Sequence, residues 1–128
     1  MNSYIIIAGL IASATTVGHF AVGSKQFLQP MLAASFDPIS KKVMHCAFHY
    51  VSTYLILSAV TLLLVGFNIW SGTGSSAVIN FIAANFAVFA IWQIVLAIIS
   101  DIPRGIFKLF QWMFFVLIAL FSFLGTGL

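Results

Sequence analysis

Charged side chains are almost missing from this sequence. Of its 128 residues, five are Lys or Arg and two are acidic, Asp37 and Asp101, and no Glu occurs. A soluble domain carries about 25% charged residues, whereas 5% are charged here, 62% are hydrophobic and the mean hydropathy is +1.17. A surface so poor in charge would aggregate in water, so the sequence predicts a chain whose solvent is lipid.

The scarcity of reactive side chains excludes several classes of function. With two Asp and no Glu, paired-carboxylate catalysis is nearly excluded, and the single Cys46 cannot form an intrachain disulfide. There is no phosphate-binding glycine loop, no nucleophile elbow and no pair of Cys-x-x-Cys motifs. Five basic residues beside apolar runs do not make a face for nucleic acid. No catalytic residue is assigned, and the sequence leans against an enzyme.

Long apolar runs are what the chain has instead. Three stretches, 1–24, 43–100 and 109–128, carry no charge, and a helix needs about 20 apolar residues to cross a hydrocarbon core of about 30 Å. Glycines and serines interrupt the middle stretch, which is long enough for two crossings. The sequence predicts one domain, 1–128, an all-α integral membrane protein folded as an antiparallel, up-down four-helix transmembrane bundle. Helices are predicted near 3–23, 38–66, 76–100 and 103–124, with an interfacial helix or an irregular loop over 26–36, broken near Pro30.

Local signals support two of these helix ends. Asp37 followed by Pro38 is typical of an N-cap and a first helical residue. Ile102-Pro103 indicates a short break, so the third and fourth helices are expected to form a tight hairpin.

In the outer half of the third helix, Asn80 and Asn85 are expected to form helix–helix hydrogen bonds within otherwise apolar surroundings.

Basic residues are distributed unevenly along the chain. They lie in the first and third connections between the predicted helices. Because positive charge stays on the cytoplasmic side, both connections are predicted to be cytoplasmic. Both termini are then predicted to lie outside, in the periplasm of a bacterial inner membrane. The basic edge is also expected to contact anionic lipid headgroups. Its residues are Lys25, Lys41, Lys42, Arg104 and Lys108.

Polar side chains gather just inside this basic edge. The helical rise places His19 roughly 6 Å, His45 roughly 5 Å and His49 roughly 10 Å inside it. Neutral imidazole binds transition metals and haem iron, so the three histidines are candidates to bind a metal ion, a b-type haem or a lipophilic ligand such as a quinone. Two other interpretations stay open: hydrogen bonds to carbonyls, headgroups or each other, and a pH-sensing or proton-relay role. The supporting polar residues are Ser52, Gln93, Asp101 and Gln111.

A pattern of single residues and pairs runs through the first half of the chain: Gly18-His19, Gly23, Lys25, Leu28, Pro30-Met31 and, after a basic loop, Phe48-His49. It resembles the pattern of small four-span bacterial membrane proteins of uncharacterised function. The resemblance implies four spans and a pairing of His19 with His49, and it implies no activity.

Two classes of function follow from these features. The first is a small polytopic membrane protein with a histidine-lined binding site on its cytoplasmic side. The second is a non-catalytic accessory or scaffolding subunit whose small-residue stripes and aromatic last helix bind partner helices. An oligomeric transporter or channel has less in its favour, because no charged residue lies near mid-membrane. A bundle this small has little internal volume, so a homo-oligomer or a place in a larger membrane complex is expected beside the surrounding lipids.

Overall fold

Residues 1–127 are described by a computed structural model, and within that range every regular element is a helix. Three helices are long and apolar enough to cross a membrane, whereas the last has 15 residues. It is about 22 Å long at 1.5 Å per residue, which is short for a hydrocarbon core of about 30 Å. The all-helical fold is confirmed, and the fourth crossing stays a prediction. The helices are α1 (Ser3–Ala33), α2 (Pro38–Gly66), α3 (Ser75–Ile99), α4 (Gly105–Lys108) and α5 (Trp112–Thr126).

Neighbouring helices run antiparallel. Helix α1 packs against both α2 and α5, and α3 packs mainly against α5. Direct contact between α2 and α3 is slight and aromatic: the Tyr54 ring centroid lies 5.6 Å from that of Phe86 and 5.4 Å from that of Phe89. The bundle therefore has one loosely closed side, between α2 and α3.

Close backbone approach joins α1 to α2 near the end of the bundle that carries the N-terminus. A Cβ atom built on Gly66 would lie 2.9 Å from the backbone nitrogen of Ile6. One built on Gly9 would lie 2.8 Å from the Leu63 side chain. Only glycine allows this separation without displacing a neighbour, and small residues serve this purpose between membrane helices.

Hydrogen bonds connect the helices at the same end. The Asn2 backbone N–H donates to the Gly66 carbonyl at 2.9 Å, and the Asn2 side-chain amide donates to the Gly125 carbonyl at 2.7 Å. The Thr126 hydroxyl donates to Oδ1 of Asn80 at 2.6 Å. These bonds link α1, α2, α3 and α5 at this end of the bundle. The helix–helix bond predicted for Asn80 is confirmed, whereas Asn85 donates to the Phe81 carbonyl of its own helix at 2.7 Å.

Helix α1 is longer than the sequence predicted. It does not end near residue 23 or break near Pro30, but continues to Ala33. From His19 to Leu28 it is a π-helix, and the Gln29 N–H that follows donates to the Ser24 carbonyl, five residues back. Since the i→i−4 pattern has already been left at that point, the missing N–H of Pro30 and its clash with the carbonyl four residues earlier disturb the helix little.

The chain after α3 also differs from its prediction. Instead of one helix over 103–124, α4 ends at Lys108 and α5 begins at Trp112. Arg104 has a left-handed backbone with a φ of 57°, and a Cβ on Gly105 would lie 2.7 Å from the Ala97 carbonyl oxygen. The Trp112 indole N–H donates to the Ile106 carbonyl at 3.0 Å. That bond takes a carbonyl that a continuous helix would have used, so the break is held by a side chain.

Helix α2 has the predicted bounds, and its cap is the predicted one. The Asp37 carboxylate accepts the backbone N–H of Ser40 at 2.7 Å and its hydroxyl at 2.9 Å. These two hydrogen bonds hold the pKa of Asp37 below its usual value. The cap therefore stabilises the start of α2 above the ordinary aspartate pKa and is lost as the pH falls through the lowered value. Helix α3 also lies within one residue of its predicted bounds.

We predict that Gly66→Ala lowers the free energy of unfolding by about 1–3 kcal/mol, because the added methyl group overpacks the contact with α1. Gly72→Ala is the matched control, since a Cβ there meets nothing within 4 Å. Reversible unfolding in mixed micelles measures both free energies. Equal stability of the two variants would contradict the close approach of α1 and α2.

Candidate ligand-binding site

A cavity of about 570 Å³ lies between α1, α2 and α3 at the basic end of the bundle. Three polar side chains contribute to its wall, His19, Gln93 and Gln111. The rest of the wall is apolar and largely aromatic, and it includes Phe48 and Trp92. The cavity occupies the side of the bundle where α2 and α3 make little direct contact.

A second cavity of about 290 Å³ lies between α1 and the start of α5. It is more enclosed than the first, and the two share His19, Gly23, Gln111 and Phe115 as wall residues. Gly23 belongs to the π-helical part of α1 and lies one turn beyond His19. The two cavities therefore adjoin. The side chains of His19, Gln111 and Phe115 and the backbone of Gly23 form the boundary between them.

The His19 imidazole is held by two partners on α2. Its Nε2 atom lies 2.9 Å from Oγ of Ser52 and 3.3 Å from the carbonyl oxygen of Phe48. A carbonyl only accepts hydrogen bonds, so Nε2 carries the proton. The Ser52 hydroxyl in turn donates to the Phe48 carbonyl at 2.9 Å. In the neutral ring, Nδ1 is then an acceptor, and it lies on the side of Gly23, 3.8 Å from where a Cβ of that residue would stand.

Aromatic packing fixes the plane of the same imidazole. The His19 and Phe48 rings are stacked, with centroids 4.2 Å apart and an interplanar angle of 21°. The Phe27 ring also stacks on the Phe48 ring, with centroids 6.2 Å apart and an interplanar angle of 17°. Phe48 is only 6% exposed. Because one face of the imidazole is covered in this way, the edge that carries Nδ1 is the part available to a ligand.

The two glutamines form a pair whose hydrogen bonding is incomplete. Nε2 of Gln93 donates to Oε1 of Gln111 at 2.7 Å. Oε1 of Gln93 is buried and has no partner among residues 1–127. Reversing both amides would leave the nitrogen of Gln93 unpaired instead, so either orientation leaves one polar atom unsatisfied. A buried atom in this state costs about 1–3 kcal/mol, and a ligand group that bonds to it would recover that energy.

The three histidines do not form one cluster. His45 and His49 are paired, with their Nε2 atoms 3.2 Å apart, whereas Ser52 and Phe48 bind His19. Among residues 1–127 no three His, Cys, Asp or Glu side chains are arranged to hold a metal ion. The implied pairing of His19 with His49 is interrupted by the Phe48 ring, which contacts both imidazoles at centroid distances of 4.2 and 5.6 Å.

Other predicted site residues divide between the cavity and the surface. Gln93 and Gln111 meet in the cavity wall, and Ser52 is buried against His19. Asp101 is exposed just after α3 and lines neither of the two cavities described above. The basic residues surround the same end of the bundle, where Lys41 extends its Nζ to 5.5 Å from the centroid of the Phe36 ring.

Sequence reasoning missed the aromatic part of the site. Phe48, Gly23 and Trp92 shape the cavity, yet none was singled out for it. Phe48 could have been found, because it begins a buried stripe along α2 at the spacing of one helix face. The members of that stripe are Phe48, Ser52, Leu55, Ala59, Leu62 and Gly66.

No protein-family model, curated protein or solved structure matches this chain. The resemblance to small four-span bacterial proteins therefore stays a prediction. The interpretation of the cavity depends on its own geometry.

We predict that Gln93 and Gln111 are energetically coupled by about 1 kcal/mol, the usual range for hydrogen bonds between membrane helices. The coupling is measured by a double-mutant cycle of Gln93→Leu and Gln111→Leu, with unfolding followed in mixed micelles. Strictly additive effects would show that the two amides do not interact.

Proposed function

We propose that this chain is a four-span inner-membrane protein that binds a small lipophilic molecule in the cavity at its basic, cytoplasmic end. The observation that carries this proposal is the incomplete glutamine pair in the wall of an otherwise apolar cavity. Gln93 retains a buried atom without a partner, and ligand cavities commonly combine an apolar wall with a few polar groups that fix orientation.

The donor set of the cavity favours an organic ligand over a metal or haem. Nε2 of His19 is engaged by Ser52, and the Phe48 ring stacks on its imidazole. No second imidazole lines this cavity. Binding of a haem between His19 and His49, or of a metal ion among the three histidines, would require the side chains of His19 and Phe48 to leave the positions described above.

The ligand that fits this wall is a flat, apolar molecule with a hydroxyl group, such as a quinol. Aromatic side chains offer offset-stacked and edge contacts to a ring, and Phe48, Phe89 and Trp92 line the cavity. A hydroxyl donates to the unpaired oxygen of Gln93 after a small rotation of the amide, or to Nδ1 of His19. Entry from the bilayer between α2 and α3 requires no passage through water.

The fourth crossing is proposed to consist of α5 with the turn and short helix that precede it. Helix α5 alone is too short, but its partner bonds at both ends, Asn80 with Thr126 and Gln93 with Gln111, keep it alongside α3. All five basic residues then lie at one edge, which the positive-inside rule assigns to the cytoplasm. An oligomer or a larger complex stays a prediction.

We predict that cysteines introduced at Ser3 and at Thr126 react with a membrane-impermeant maleimide in intact cells. Both sites lie at the end opposite the basic residues, so outward termini expose them. Lys42→Cys is the matched control and is expected to react only after the membrane is opened. All variants carry Cys46→Ser, which removes the native thiol. Labelling of Ser3→Cys but not Thr126→Cys would contradict a fourth crossing.

We predict that a short-chain quinone, ubiquinone-1, quenches the fluorescence of Trp92 in the purified protein, because this side chain lines the cavity. Gly23→Leu is expected to weaken the binding at least about tenfold by filling the cavity, since a lost contact of 1.4 kcal/mol is tenfold in affinity. The matched control is Ala21→Leu, which adds the same side chain in the same segment but on an exposed position outside both cavities.

Two further measurements test whether the quenching comes from a quinone bound in the cavity. Trp92→Phe should abolish the saturable part of the quenching, since Trp70 and Trp112 lie outside this cavity. Reduction of the probe to the quinol should strengthen binding, because a hydroxyl can donate to Nδ1 of His19 whichever way the Gln93 amide is turned. Quenching that is unsaturable, or equal in Gly23→Leu and Ala21→Leu, would refute the proposed site.

A further inference from the structure

The pair of His45 and His49 lies outside the cavity and is not used by the proposed ligand. The two residues stand one turn apart on α2, with Nε2 atoms 3.2 Å apart and ring centroids 5.0 Å apart. His45 is half-buried and His49 is exposed. Two imidazoles at this spacing can share a proton or hold one metal ion.

The distance between the two nitrogens suits a shared ion. The ring planes are inclined by 42° and their centroids are 5.0 Å apart, shorter than the roughly 5.6 Å of a linear N–H···N bond. Two ligands about 2.0–2.1 Å from one tetrahedral zinc ion stand about 3.3 Å from each other, and the two Nε2 atoms are 3.2 Å apart.

The surroundings of the pair give an ion access from water. Helix α2 has 29 residues and is about 43 Å long, which exceeds a hydrocarbon core of about 30 Å. Because Lys41 and Lys42 mark the end that projects, His45 and His49 lie roughly 5 and 10 Å below the basic edge, and an ion reaches them from that side. The Lys41 ammonium is directed at the Phe36 ring, 5.5 Å from its centroid.

We propose that His45 and His49 form a two-nitrogen chelate for a divalent transition-metal ion such as Cu²⁺ or Zn²⁺. No third His, Cys, Asp or Glu among residues 1–127 completes the group, so oxygen atoms from water or headgroup phosphate fill the other positions. The site is open, and it exchanges metal with the aqueous side. It is independent of the ligand proposed for the cavity.

The test uses the full chain with Cys46→Ser, purified through a tag without histidine and titrated with Cu²⁺ alone, because the exposed Cys46 thiol would itself bind and reduce Cu²⁺. Copper is the probe because it binds nitrogen ligands most tightly among these ions, and its EPR spectrum reports the number of bound nitrogens. One Cu²⁺ per chain with two imidazole nitrogens is expected. His45→Gln or His49→Gln should each weaken binding at least about tenfold, since even loss of a group supporting a ligand costs 10–100-fold.

A matched variant changes only the spacing of the pair. His49→Gln combined with Tyr50→His keeps three histidines but moves one imidazole about 100° around the helix, at a position that is 72% exposed. This variant should bind as weakly as His49→Gln, and competition by Zn²⁺ should show the same order. Affinity equal to that of the native chain, or a copper spectrum without two imidazole nitrogens, would overturn the proposal. Circular dichroism verifies that each variant is folded.

Discussion

The fold depends on what holds its helices together in lipid, where burying one apolar helix face against another gains no hydrophobic free energy. Lipid is as apolar as the helix faces, so association relies on close packing and on hydrogen bonds between helices. The close packing is concentrated at the end carrying the termini, at Gly9 and Gly66, and the bonds of Asn2 add to it there. At the basic end α2 and α3 make little direct contact, and the cavity occupies the space between them.

The polar side chains that connect helices differ between the two ends of the bundle in whether they leave a hydrogen bond unmade. At the closed end, Asn2, Asn80 and Thr126 are bonded across helices, and their role is structural. At the open end, Gln93 keeps an unpaired atom and His19 presents an acceptor toward Gly23. Buried groups without partners raise the energy of the folded state. The hydroxyl oxygens of Tyr54 and Ser122 are also buried without a partner among residues 1–127, but neither residue lines one of the two cavities. The position of the Gln93 atom beside a cavity is therefore the reason to place function at this end.

Local features of the sequence were sufficient for much of the fold. The bounds of α2 follow from Asp37-Pro38 and from hydropathy, and α3 follows from a long uncharged run; neither needs knowledge of neighbours. The π-helix of α1 was not predicted, because no pattern in residues 19–28 marks it. The break before Trp112 was not predicted either, because it depends on the bond from the Trp112 indole to Ile106 and on the close contact of Gly105 with Ala97. The common depth of the polar layer was predicted, but its pairing was not. Ser52 turns toward His19 rather than toward His49, since helix rotation is set by packing.

Unequal helix lengths have a consequence for the surrounding bilayer. Helix α1 has 31 residues and α5 has 15, which correspond to at most about 46 Å and 22 Å. A bilayer that α1 spans is thicker than α5 alone can cross, so the fourth crossing proposed above needs the preceding turn and α4, or a thinner bilayer beside α5. The perimeter of the protein therefore carries a gradient of preferred thickness. Lipids with shorter acyl chains are expected to collect on the α5 side, and longer ones beside α1 and α2.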